Sequence, residues 1–594
     1  MRFVVDELWP ISELLAYPRY AMHGRETFGA ILDQSQKLAL EKFAPHNRAS
    51  DTDEPRFVDG GVRIIPEVKA ALDAYADAGF PALLADEAEG GLQLPYTLAL
   101  LSDALFCAAN VSTIGYALLA RGVGNLLKAH GSAEQQRLYR QPILEGRWLG
   151  TMCLSEPQAG SSLADISTRA DAIANPAEDG SYRLSGQKMW ISGGDHELSE
   201  NIVHLVLAKI PGGPPGVKGI SLFIVPKFRV NDDGSLGARN DVQLAGVNHK
   251  LGQRGIVNTF LKFGERGDCV GYLVGAPHQG LVQMFHLMNE ARIGVGMGAI
   301  MQGMAGYQYS LQYAKDRRQG RHPEQKDPTS PPVALIEHAD VKRMLLQQKC
   351  TVEGAFALAV YAGTLIDAQI GSENAEIRRN AALKLDLLTP VLKAWAGEWC
   401  TKANDLAIQV LGGYGYTREY PVEQYWRDNR LNPIHEGANG IQAIDLLGRK
   451  ATLANGAALA AMLDELRATI AQASAIAVLA EYCGALANSV TLIEQTTRVL
   501  AACMAEGRLR LALANASYYL TVVGHTLIAW AWLKQALVAT RALPDATSHD
   551  REFYEGKLTA CRFFFRHELP QVEALARLLQ ALDDSTLATT PGQF

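Results

Sequence analysis

The spacing of hydrophobic residues over the first part of the chain is that of α-helices. Phe28, Ile31 and Leu32 recur as they would on one face of a helix, and Pro55 interrupts the pattern. We therefore predict an N-terminal helical domain over residues 1–150.

Near Trp148 the pattern changes to short runs rich in β-branched and aromatic residues. The runs that predict strands are Trp148–Leu154, Tyr182–Leu184, Ile202–Ala208, Ile220–Val225, Ile256–Phe263 and Val270–Val274. Turn-forming residues separate them, as in GGPPG from Gly212. This pattern is typical of a small antiparallel sheet or barrel, which we place at residues 151–278.

From Gln279 onward the helical period returns in long segments. They lie near residues 284–318, 337–372, 381–411 and 439–455. Helices of this length imply a bundle, and we assign it to residues 279–450. The proline-rich stretch HPEQKDPTSPP from His322 is predicted to be a surface loop.

The last part of the chain is rich in alanine and leucine. Breaks near Gly507 and Pro544 divide it into four predicted helices, which form an added C-terminal helical domain over residues 451–594. No residue types that suggest catalysis cluster there. The predicted fold class is α+β, with helical, antiparallel β, helical-bundle and further helical domains in that order.

Composition narrows the class of protein. The 594 residues are 48% hydrophobic and 20% charged, enough to bury several cores. The net charge of -7 provides no general attraction to nucleic acid, so no nucleic-acid partner is expected.

Cysteine usage and the N-terminus bear on location and metals. The 8 cysteines stand singly, without the spacing of a zinc or iron–sulfur site, so no metal is expected and the thiols indicate a reducing compartment. The N-terminus lacks the pattern of a signal or transit peptide, and no uninterrupted apolar run reaches the ~18 residues of a membrane span. We expect a cytoplasmic protein without a transmembrane segment.

The first candidate for chemistry is Glu436, in the stretch Leu431–Lys450. It stands between an X-Pro turn and Gly437, just before an apolar helical run. A carboxylate on a tight connection beside a buried helix can be desolvated, which raises its pKa toward that of a useful base. Gly437 lets backbone N–H groups approach a substrate oxygen. The alternative is that Glu436 only begins a helix, where acidic residues are favoured.

Two further segments lie at the start of the predicted sheet. SEPQAGSS, from Ser155 through Gly160 and Ser161, is an open loop able to hold an anion or the edge of a heterocycle, although a plain turn is the alternative. GQKMWIS places Trp190 and Ser192 on one face of a strand, since side chains alternate. An indole beside a hydroxyl suits a planar cofactor ring, although a core tryptophan is the commoner use. Lys188, beside them, is expected to be solvated at the surface.

These segments, in their order and spacing, resemble the acyl-CoA dehydrogenase family of flavoproteins. The likeness includes SEPQAGSS, GQKMWIS, LGQR ending at Arg254, NEAR at 289–292, KDRRQG at 315–320, IQVLGGYGYTREYPVE at 408–423 and WRD at 426–428. It covers residues 40 to 450. The additional residues at both ends are similar to those of the longer subgroup that includes the 3-methylmercaptopropionyl-CoA dehydrogenases.

The resemblance implies an acyl-CoA dehydrogenase-like fold and roles for individual residues. Glu436 falls on the catalytic base, which removes the α-proton of an acyl thioester while the β-hydrogen leaves as hydride to FAD. Its own N–H would bind the thioester carbonyl, as in an oxyanion hole. The residues expected to contact the flavin are Trp190, Ser192, Ser155, Gly160 and Ser161, of which Ser161 would face either the substrate or a cofactor phosphate.

The resemblance also implies binding sites for the nucleotides. Arg292 and Asn289 match positions near the CoA adenylate. Arg317 matches the residue that reaches the pyrophosphate of FAD bound mainly by the partner subunit, with Gln409, Gly412 and Gly413 over its adenosine part. A homodimer is therefore expected.

Departures from the family pattern concern the base. His435 stands where tyrosine is usual and Ala438 where threonine is common. His435 either tunes the base or only packs. Some members carry the base immediately before the arginine, but that position is Ala291, and Glu290 is rotated by about 100° on a helix. Glu436 is therefore preferred to Glu290.

The resemblance implies an FAD-dependent acyl-CoA dehydrogenase of fatty acid β-oxidation. It would oxidise an acyl-CoA to the trans-2-enoyl-CoA and pass electrons to an electron-transferring flavoprotein. Two alternatives stay open: an acyl-CoA oxidase that uses oxygen, and a non-catalytic scaffold that binds acyl-CoA or flavin. Chain length, branching and sulfur content of the substrate are not specified by the sequence.

Overall fold

The structure is a computed structural model that describes residues 1–173 and 180–594, apart from the side chains at 285–290. Two compact units are present. The helical unit comprises Met1–Arg25, Pro95–Leu101 and Arg292–Phe594, and the sheet unit comprises Glu26–Leu94 and Ser102–Ala291.

The regular elements follow one another along the chain. The strands are β1 Arg56–Val58, β2 Gly61–Arg63, β3 Trp148–Cys153, β4 Arg169–Ala172, β5 Ser181–Ser192, β6 Asn201–Lys209, β7 Ile220–Pro226, β8 Phe228–Val230, β9 Leu236–Arg239, β10 Val242–Val247, β11 Asn258–Phe263 and β12 Val270–Leu273. The α-helices are α1 Arg25–Leu38, α2 Asn47–Thr52, α3 Pro66–Asp77, α4 Tyr96–His130, α5 Ala133–Gln135, α6 Gln141–Leu144, α7 Gly280–Asp316, α8 Ala339–Gly371, α9 Ala375–Leu411, α10 Val422–Asn429, α11 Asn439–Asp445, α12 Leu453–Ala473, α13 Ala480–Ala505, α14 Leu509–Leu513, α15 Ala516–Ala542, α16 Ser548–Phe563, α17 Gln571–Gln580 and α18 Ser585–Ala588.

The sheet unit is built on an eight-stranded sheet in the order β10-β11-β5-β12-β7-β6-β3, with β4 beside β5 and β6. The predicted antiparallel pairing is found for most neighbours. The exceptions are β3 and β4, which pair parallel with β6. A parallel pair needs a long crossover, and the chain between β3 and β6, which includes β4 and β5, provides it.

The centre of the sheet is buried on both faces, which explains why β6 and β7 are continuous apolar runs. Leu205 and Ile224 pack into one hydrophobic cluster, while their neighbours Val206 and Phe223 pack into another. Successive side chains of each strand therefore fill two separate cores.

Several strands were absent from the prediction. β5 joins the predicted run Tyr182–Leu184 to the strand predicted at Trp190 and Ser192, and β4, β8, β9 and β10 were not predicted at all. These segments carry polar or exposed residues, as in RADA of β4, and edge positions lack the apolar signal on which the prediction rested. The hairpin of β1 and β2 also interrupts the predicted N-terminal helical domain.

The helical unit is organised around the long helices α8 and α9. Asn374 caps α9, since its side chain accepts hydrogen bonds from the N–H groups of Glu376 and Ile377. Gly412 ends the helix with φ 62° and ψ -137°, a conformation open to glycine. The predicted loop from His322 is exposed and non-helical.

The C-terminal helices pack onto this pair. The indole of Trp532 in α15 donates a 2.8 Å hydrogen bond to the Cys350 carbonyl of α8, and Trp395 of α9 donates to His525 of α15 at 3.1 Å. Five helices of ten or more residues follow Lys450 (α12, α13, α15, α16 and α17), where four were predicted. The predicted breaks at Gly507 and Pro544 are found. The helix predicted at 439–455 is not continuous. The α-helix α11 ends at Asp445, a π turn follows it, and the backbone leaves the helical conformation near Ala454.

Among the residues that the structure describes, three helices are long and apolar enough, by length and composition, to cross a membrane. They are Tyr96–His130, Ala339–Gly371 and the segment Ala516–Asp545. In the protein 72%, 89% and 89% of the residues in their apolar windows are buried. Much of the surface that would face lipid is thus covered by the rest of the chain.

Candidate active site

Glu436 lies on the loop between α10 and α11, not in a helix. Its φ is 53° and that of Gly437 is 91°, so the chain is left-handed over two consecutive residues. The loop closes where the Asn439 N–H donates a 3.0 Å hydrogen bond to the Pro433 carbonyl. Because α11 begins only at Asn439, the reading of Glu436 as the first residues of a helix is excluded.

Two side chains fix the backbone on either side of the Glu436–Gly437 peptide. The Lys393 ammonium donates a 2.6 Å hydrogen bond to the Gly437 carbonyl, and the Gln442 amide donates at 3.1 Å to the Glu436 carbonyl. Both side chains are fully buried. An added Cβ at Gly437 would lie 2.5 Å from the Gln442 amide nitrogen, so only glycine fits there.

The carboxyl of Glu436 is half-buried among cations. Burial raises its pKa above the ordinary 4.5, and the charges of Arg292 and Lys393 oppose that rise. Burial also lowers the pKa of Lys393 to about 7, although Glu436 opposes the change. A desolvated carboxylate with a raised pKa has the character of a general base.

Among the described residues, no hydrogen bond or ion pair joins His435 to the Glu436 carboxyl. Its Nε2 is 3.1 Å from Asn432 Oδ1, and burial lowers its pKa to about 3, so the ring is neutral. A neutral ring facing an amide oxygen donates the hydrogen bond. The observed role is a structural hydrogen bond.

Buried amides anchor the start of this loop. Asn432 donates to Asn429 at 2.8 Å, Asn429 donates to Asn404 at 2.7 Å, and Asn404 donates to the Gln302 carbonyl at 2.9 Å. This series joins the loop to α10, α9 and α7. A network whose members satisfy one another gives the loop a defined position.

Arg292 is buried beside the base and not on an open surface. Its Nη1 is 3.9 Å from the Asp445 carboxylate, and its charge acts on Glu436. Burial lowers its pKa, and Asp445 and Glu436 oppose that change. A contact of Arg292 with the CoA adenylate stays a prediction. The predicted roles of Asn289 and Glu290 fall on side chains outside the described residues.

In the sheet unit, Trp190 stands at a β-bulge of β5. Ile191 pairs with Thr259 and Lys188 with Leu261, so Met189 and Trp190 together oppose the single residue Phe260. Trp190 is left-handed, with φ 67°, and its side chain is 62% exposed. The alternative of a core tryptophan is therefore wrong.

The loop that begins at Ser155 is joined to this strand. The Met189 N–H donates a 3.0 Å hydrogen bond to the Ser155 carbonyl, next to Trp190. Ser192, two residues after Trp190, accepts a 3.2 Å hydrogen bond from Asn258. Gly160 and Ser161 lie at the exposed tip of the loop. The sheet unit thus brings an exposed indole and the serine-containing loop to one place.

Lys188 was predicted to be solvated, and this is wrong. It is fully buried and lies 3.0 Å from Glu156, while it also donates to the Leu154 carbonyl at 2.9 Å. Burial disfavours ionisation of Glu156, but Lys188 and hydrogen bonds from Thr168 and Ser167 outweigh it and hold its pKa at about 2. The pair fastens the Ser155 loop to β5.

The residues predicted to reach the FAD phosphates and adenosine lie at the surface of the helical unit. Arg317, Gln409, Gly412 and Gly413 are all exposed. The guanidinium of Arg317 lies 5.7 Å from the ring centroid of Tyr414.

These residues suit FAD in chemistry. Trp190 offers an exposed aromatic plate, Arg317 a cation for a pyrophosphate, and Cβ atoms added at Gly412 and Gly413 would meet open space. No group of three histidine, cysteine or carboxylate side chains able to hold a metal is found in the part of the chain that the structure describes.

Sequence reasoning missed Lys393, Gln442 and the Glu156–Lys188 pair. A signal for Lys393 was present, because it is a single charge in the apolar run LTPVLKAWAG. A lysine in such a run is buried and needs a specific partner. No sequence signal identified its partner, the Gly437 carbonyl.

Comparison with known proteins agrees with this geometry. Family profiles match at residues 151–263 (acyl-CoA dehydrogenase, middle domain), 278–451 (acyl-CoA dehydrogenase, C-terminal domain) and 462–590 (acetyl-CoA dehydrogenase C-terminal like). The 3-methylmercaptopropionyl-CoA dehydrogenase of Ruegeria pomeroyi is 33% identical over 598 residues, 99% of each chain.

Two further matches cover nearly the whole chain. The broad-specificity linear acyl-CoA dehydrogenase of Mycobacterium tuberculosis is 32% identical over 613 residues, covering 100% of this chain and 99% of its own. The crystal structure of an acyl-CoA dehydrogenase complexed with FAD from Bacillus anthracis is similar with a TM-score of 0.76 and 19% identity, over 99% of this chain and 93% of its own. The resemblance and the fold class predicted from the sequence are confirmed.

Proposed function

This chain belongs to the acyl-CoA dehydrogenase family, and from that premise we propose that it is an FAD-dependent enzyme that converts an acyl-CoA to the trans-2-enoyl-CoA. The observation that carries the proposal is the half-buried carboxyl of Glu436, held on a left-handed loop beside Arg292 and Lys393. FAD, when bound, supplies the oxidant that takes up the β-hydrogen and its electron pair.

Glu436 is proposed as the base that removes the α-proton. Partial burial raises the pKa of its carboxyl, which strengthens it as a proton acceptor. The positive charges of Arg292 and Lys393 oppose that rise and favour the ionised carboxylate. The N–H groups of Glu436 and Gly437 are proposed to bind the thioester carbonyl, where negative charge develops, and the loss of one such donor costs about 3 kcal/mol.

The cofactor contacts are proposed residue by residue. Trp190 lies against the flavin, Ser155 and Ser192 bind its polar edge, and Gly160 lies in the same loop. Ser161 faces either the substrate or a cofactor phosphate. The exposure of the indole and the anchored loop support this. Arg317 binds the pyrophosphate, with Gln409, Gly412 and Gly413 at the adenosine. Arg292 and Asn289 are assigned to substrate binding.

Glu436→Gln tests the base. The variant should keep the yellow flavin absorption and lose turnover by about 10²–10⁴-fold, because the amide accepts no proton. The rate is measured with a panel of acyl-CoA thioesters and a dye acceptor. Glu398→Gln, an exposed carboxylate on α9, is the control, and Glu290→Gln should retain turnover. Full activity of Glu436→Gln would reject the base.

The assembly and partners form a second part of the proposal. We propose a homodimer, because Arg317 and its neighbours are exposed and suit a cofactor held by a second subunit. Electrons are proposed to pass to an electron-transferring flavoprotein. The names of the relatives favour straight-chain or sulfur-containing thioesters as substrates. Eight buried, free cysteines support the proposed cytoplasmic location.

A further inference from the structure

Lys393 is unusual among the buried lysines of this protein. The others, each with a carboxylate within 4.0 Å, are Lys188, Lys227, Lys384, Lys450 and Lys557. Lys393 is equally buried, yet its hydrogen bond is made to a backbone carbonyl, that of Gly437, and no ion pair of Lys393 occurs among the described residues.

A buried ammonium without a paired carboxylate is costly for stability. If Lys393 served packing alone, an apolar side chain in its place would serve better, since its neighbours on α9 are apolar. The position of Lys393 therefore indicates a functional role for its hydrogen bond to the backbone carbonyl. That carbonyl belongs to the residue directly after Glu436.

The loop has a conformation that needs such a contact. Glu436 and Gly437 are both left-handed, and a non-glycine residue in this region is strained unless its surroundings hold it there. Lys393 and Gln442 hold this stretch. Lys393 donates the shorter hydrogen bond to the Gly437 carbonyl, at 2.6 Å, and Gln442 donates to the Glu436 carbonyl at 3.1 Å and to the Gly437 carbonyl at 3.4 Å.

We propose that Lys393 is a positioning residue for the Glu436 base: its ammonium fixes the Gly437 carbonyl, so holding the left-handed turn, and its charge favours the ionised carboxylate. The inference rests on the proposed role of Glu436. It concerns geometry and charge within the helical unit, where Lys393 acts through the Gly437 carbonyl.

The other charges around Glu436 set the background for a pH test. Arg292 of α7 acts on the carboxyl, Asp445 and Arg449 lie beyond Arg292, and His435 is neutral. Replacing Lys393 leaves the charges of Arg292, Asp445 and Arg449 in place, and of the two causes that lower the pKa of His435 it removes the smaller, since burial is the larger. A shift in the titration of Glu436 in a Lys393 variant is therefore assignable to Lys393.

Three variants of the full-length flavin-loaded enzyme separate the effect of the Lys393 hydrogen bond from the effect of its charge. Lys393→Met removes charge and donor, and Lys393→Gln removes the charge but keeps a donor. Lys384→Met is the matched control, because Lys384 is a buried lysine of the same helix that pairs with Glu465 instead. Each is assayed for kcat and kcat/KM against pH, with the straight-chain acyl-CoA that the wild-type enzyme oxidises fastest.

We expect Lys393→Met to lower kcat by at least about tenfold, since a small displacement of the base is costly. Its acid limb of kcat/KM should move about one pH unit upward, because a nearby positive charge no longer favours the carboxylate. Lys393→Gln should show the same pH shift with a smaller loss of kcat. Lys384→Met should leave the pH profile unchanged.

A second readout does not depend on turnover. Infrared difference spectra of each protein against its Glu436→Gln counterpart, taken across pH, report the ionisation of Glu436 directly, and the same upward shift is expected. If Lys393→Met does not fold, Lys393→Gln carries the test by both readouts.

The inference would be overturned if the Lys393 variants kept both the wild-type kcat and the wild-type acid limb of kcat/KM. If Glu436→Gln abolished turnover in the same experiment, the proposed function would stay intact. A loss of kcat with no shift in either readout would also overturn the inference, since a merely structural role predicts that result. Turnover retained by Glu436→Gln would instead remove the proposed function, and the inference with it.

Discussion

Backbone strain is found at one predicted site residue in each of the two units. Glu436 and Trp190 both have positive φ, at 53° and 67°, and such residues cost about 1–3 kcal/mol each unless their surroundings over-determine them. At Trp190 the bulged ladder between β5 and β11 does this. At Glu436 it is done by Lys393 and Gln442. In both places the strain directs a side chain that a regular strand or helix would aim elsewhere.

Gly437→Ala tests the turn at this scale. At φ 91°, and with Gln442 2.5 Å from the new Cβ, alanine should lower stability by about 1–3 kcal/mol and lower kcat as well, because the base moves. Thermal unfolding and steady-state rates measure the two effects. Gly440→Ala is the control: its Cβ would meet open space within α11, so it should be neutral or slightly stabilising. Equal behaviour of the two variants would contradict a strained turn.

Among the elements, the Ser155 loop and β5 are held together by a buried ion pair. Glu156 accepts hydrogen bonds from Ser167 and Thr168 in addition to Lys188. With these donors the carboxylate is fully paired, which is the condition under which a buried charge is tolerated. The pair joins the loop to the strand that carries Trp190, so its loss affects the position of two candidate flavin contacts together.

Glu156→Gln should destabilise the sheet unit by about 3–5 kcal/mol at neutral pH, because Lys188 is left buried without its partner. The pKa of Glu156 falls from 4.5 to about 2 on folding. Its stabilisation is therefore complete above pH 4.5 and declines as pH falls toward 2.

Urea unfolding over a series of pH values measures the free energy of unfolding of the wild type and of Glu156→Gln. The difference in the free energy of unfolding between wild type and Glu156→Gln should be constant near neutral pH and should become smaller in acid. Glu145→Gln, which removes an exposed pair with Arg147, should cost under about 1 kcal/mol. If this difference in the free energy of unfolding became larger as pH fell, the stabilising role assigned to ionised Glu156 would be refuted.

At the scale of the whole chain, the C-terminal helices are part of the core of the helical unit. A Cβ added at Gly524 of α15 would lie 2.3 Å from the Trp395 indole, and one added at Gly354 of α8 would lie 2.7 Å from both Ile528 and Trp532. Glycines are required at both crossings. The C-terminal region therefore completes the packing of α8 and α9, the helix that carries Lys393.

A chain ended after Lys450 should not fold. It would expose the faces of α8 and α9 that α12 and α15 cover, and an apolar surface of that kind leads to aggregation. Soluble yield, circular dichroism and flavin content measure the outcome. Removal of residues 585–594 alone, which are exposed throughout, should leave stability and activity unchanged. A folded, flavin-loaded chain ending at Lys450 would show that the C-terminal region is dispensable.

The sequence by itself determined the family and the fold class, and it nominated the candidate site residues. Period-2 and period-3.6 patterns located the central strands and the long helices, because burial of one face imposes those periods. The motifs nominated Glu436, Trp190 and the Ser155 loop, because their order and spacing resemble those of the acyl-CoA dehydrogenase family. Short polar strands such as β4 were missed, because they carry no such pattern.

Only the tertiary structure decided how those residues are held and charged. Lys188 was expected in solvent and is buried against Glu156, and Lys393 was not singled out, although it touches the loop of the base from 44 residues away. Hydrophobic periodicity records whether a position is buried, but not which distant group meets it there. Partners, pKa shifts and the left-handed turns at Trp190 and Glu436 depend on such long-range contacts, so they follow from the folded chain.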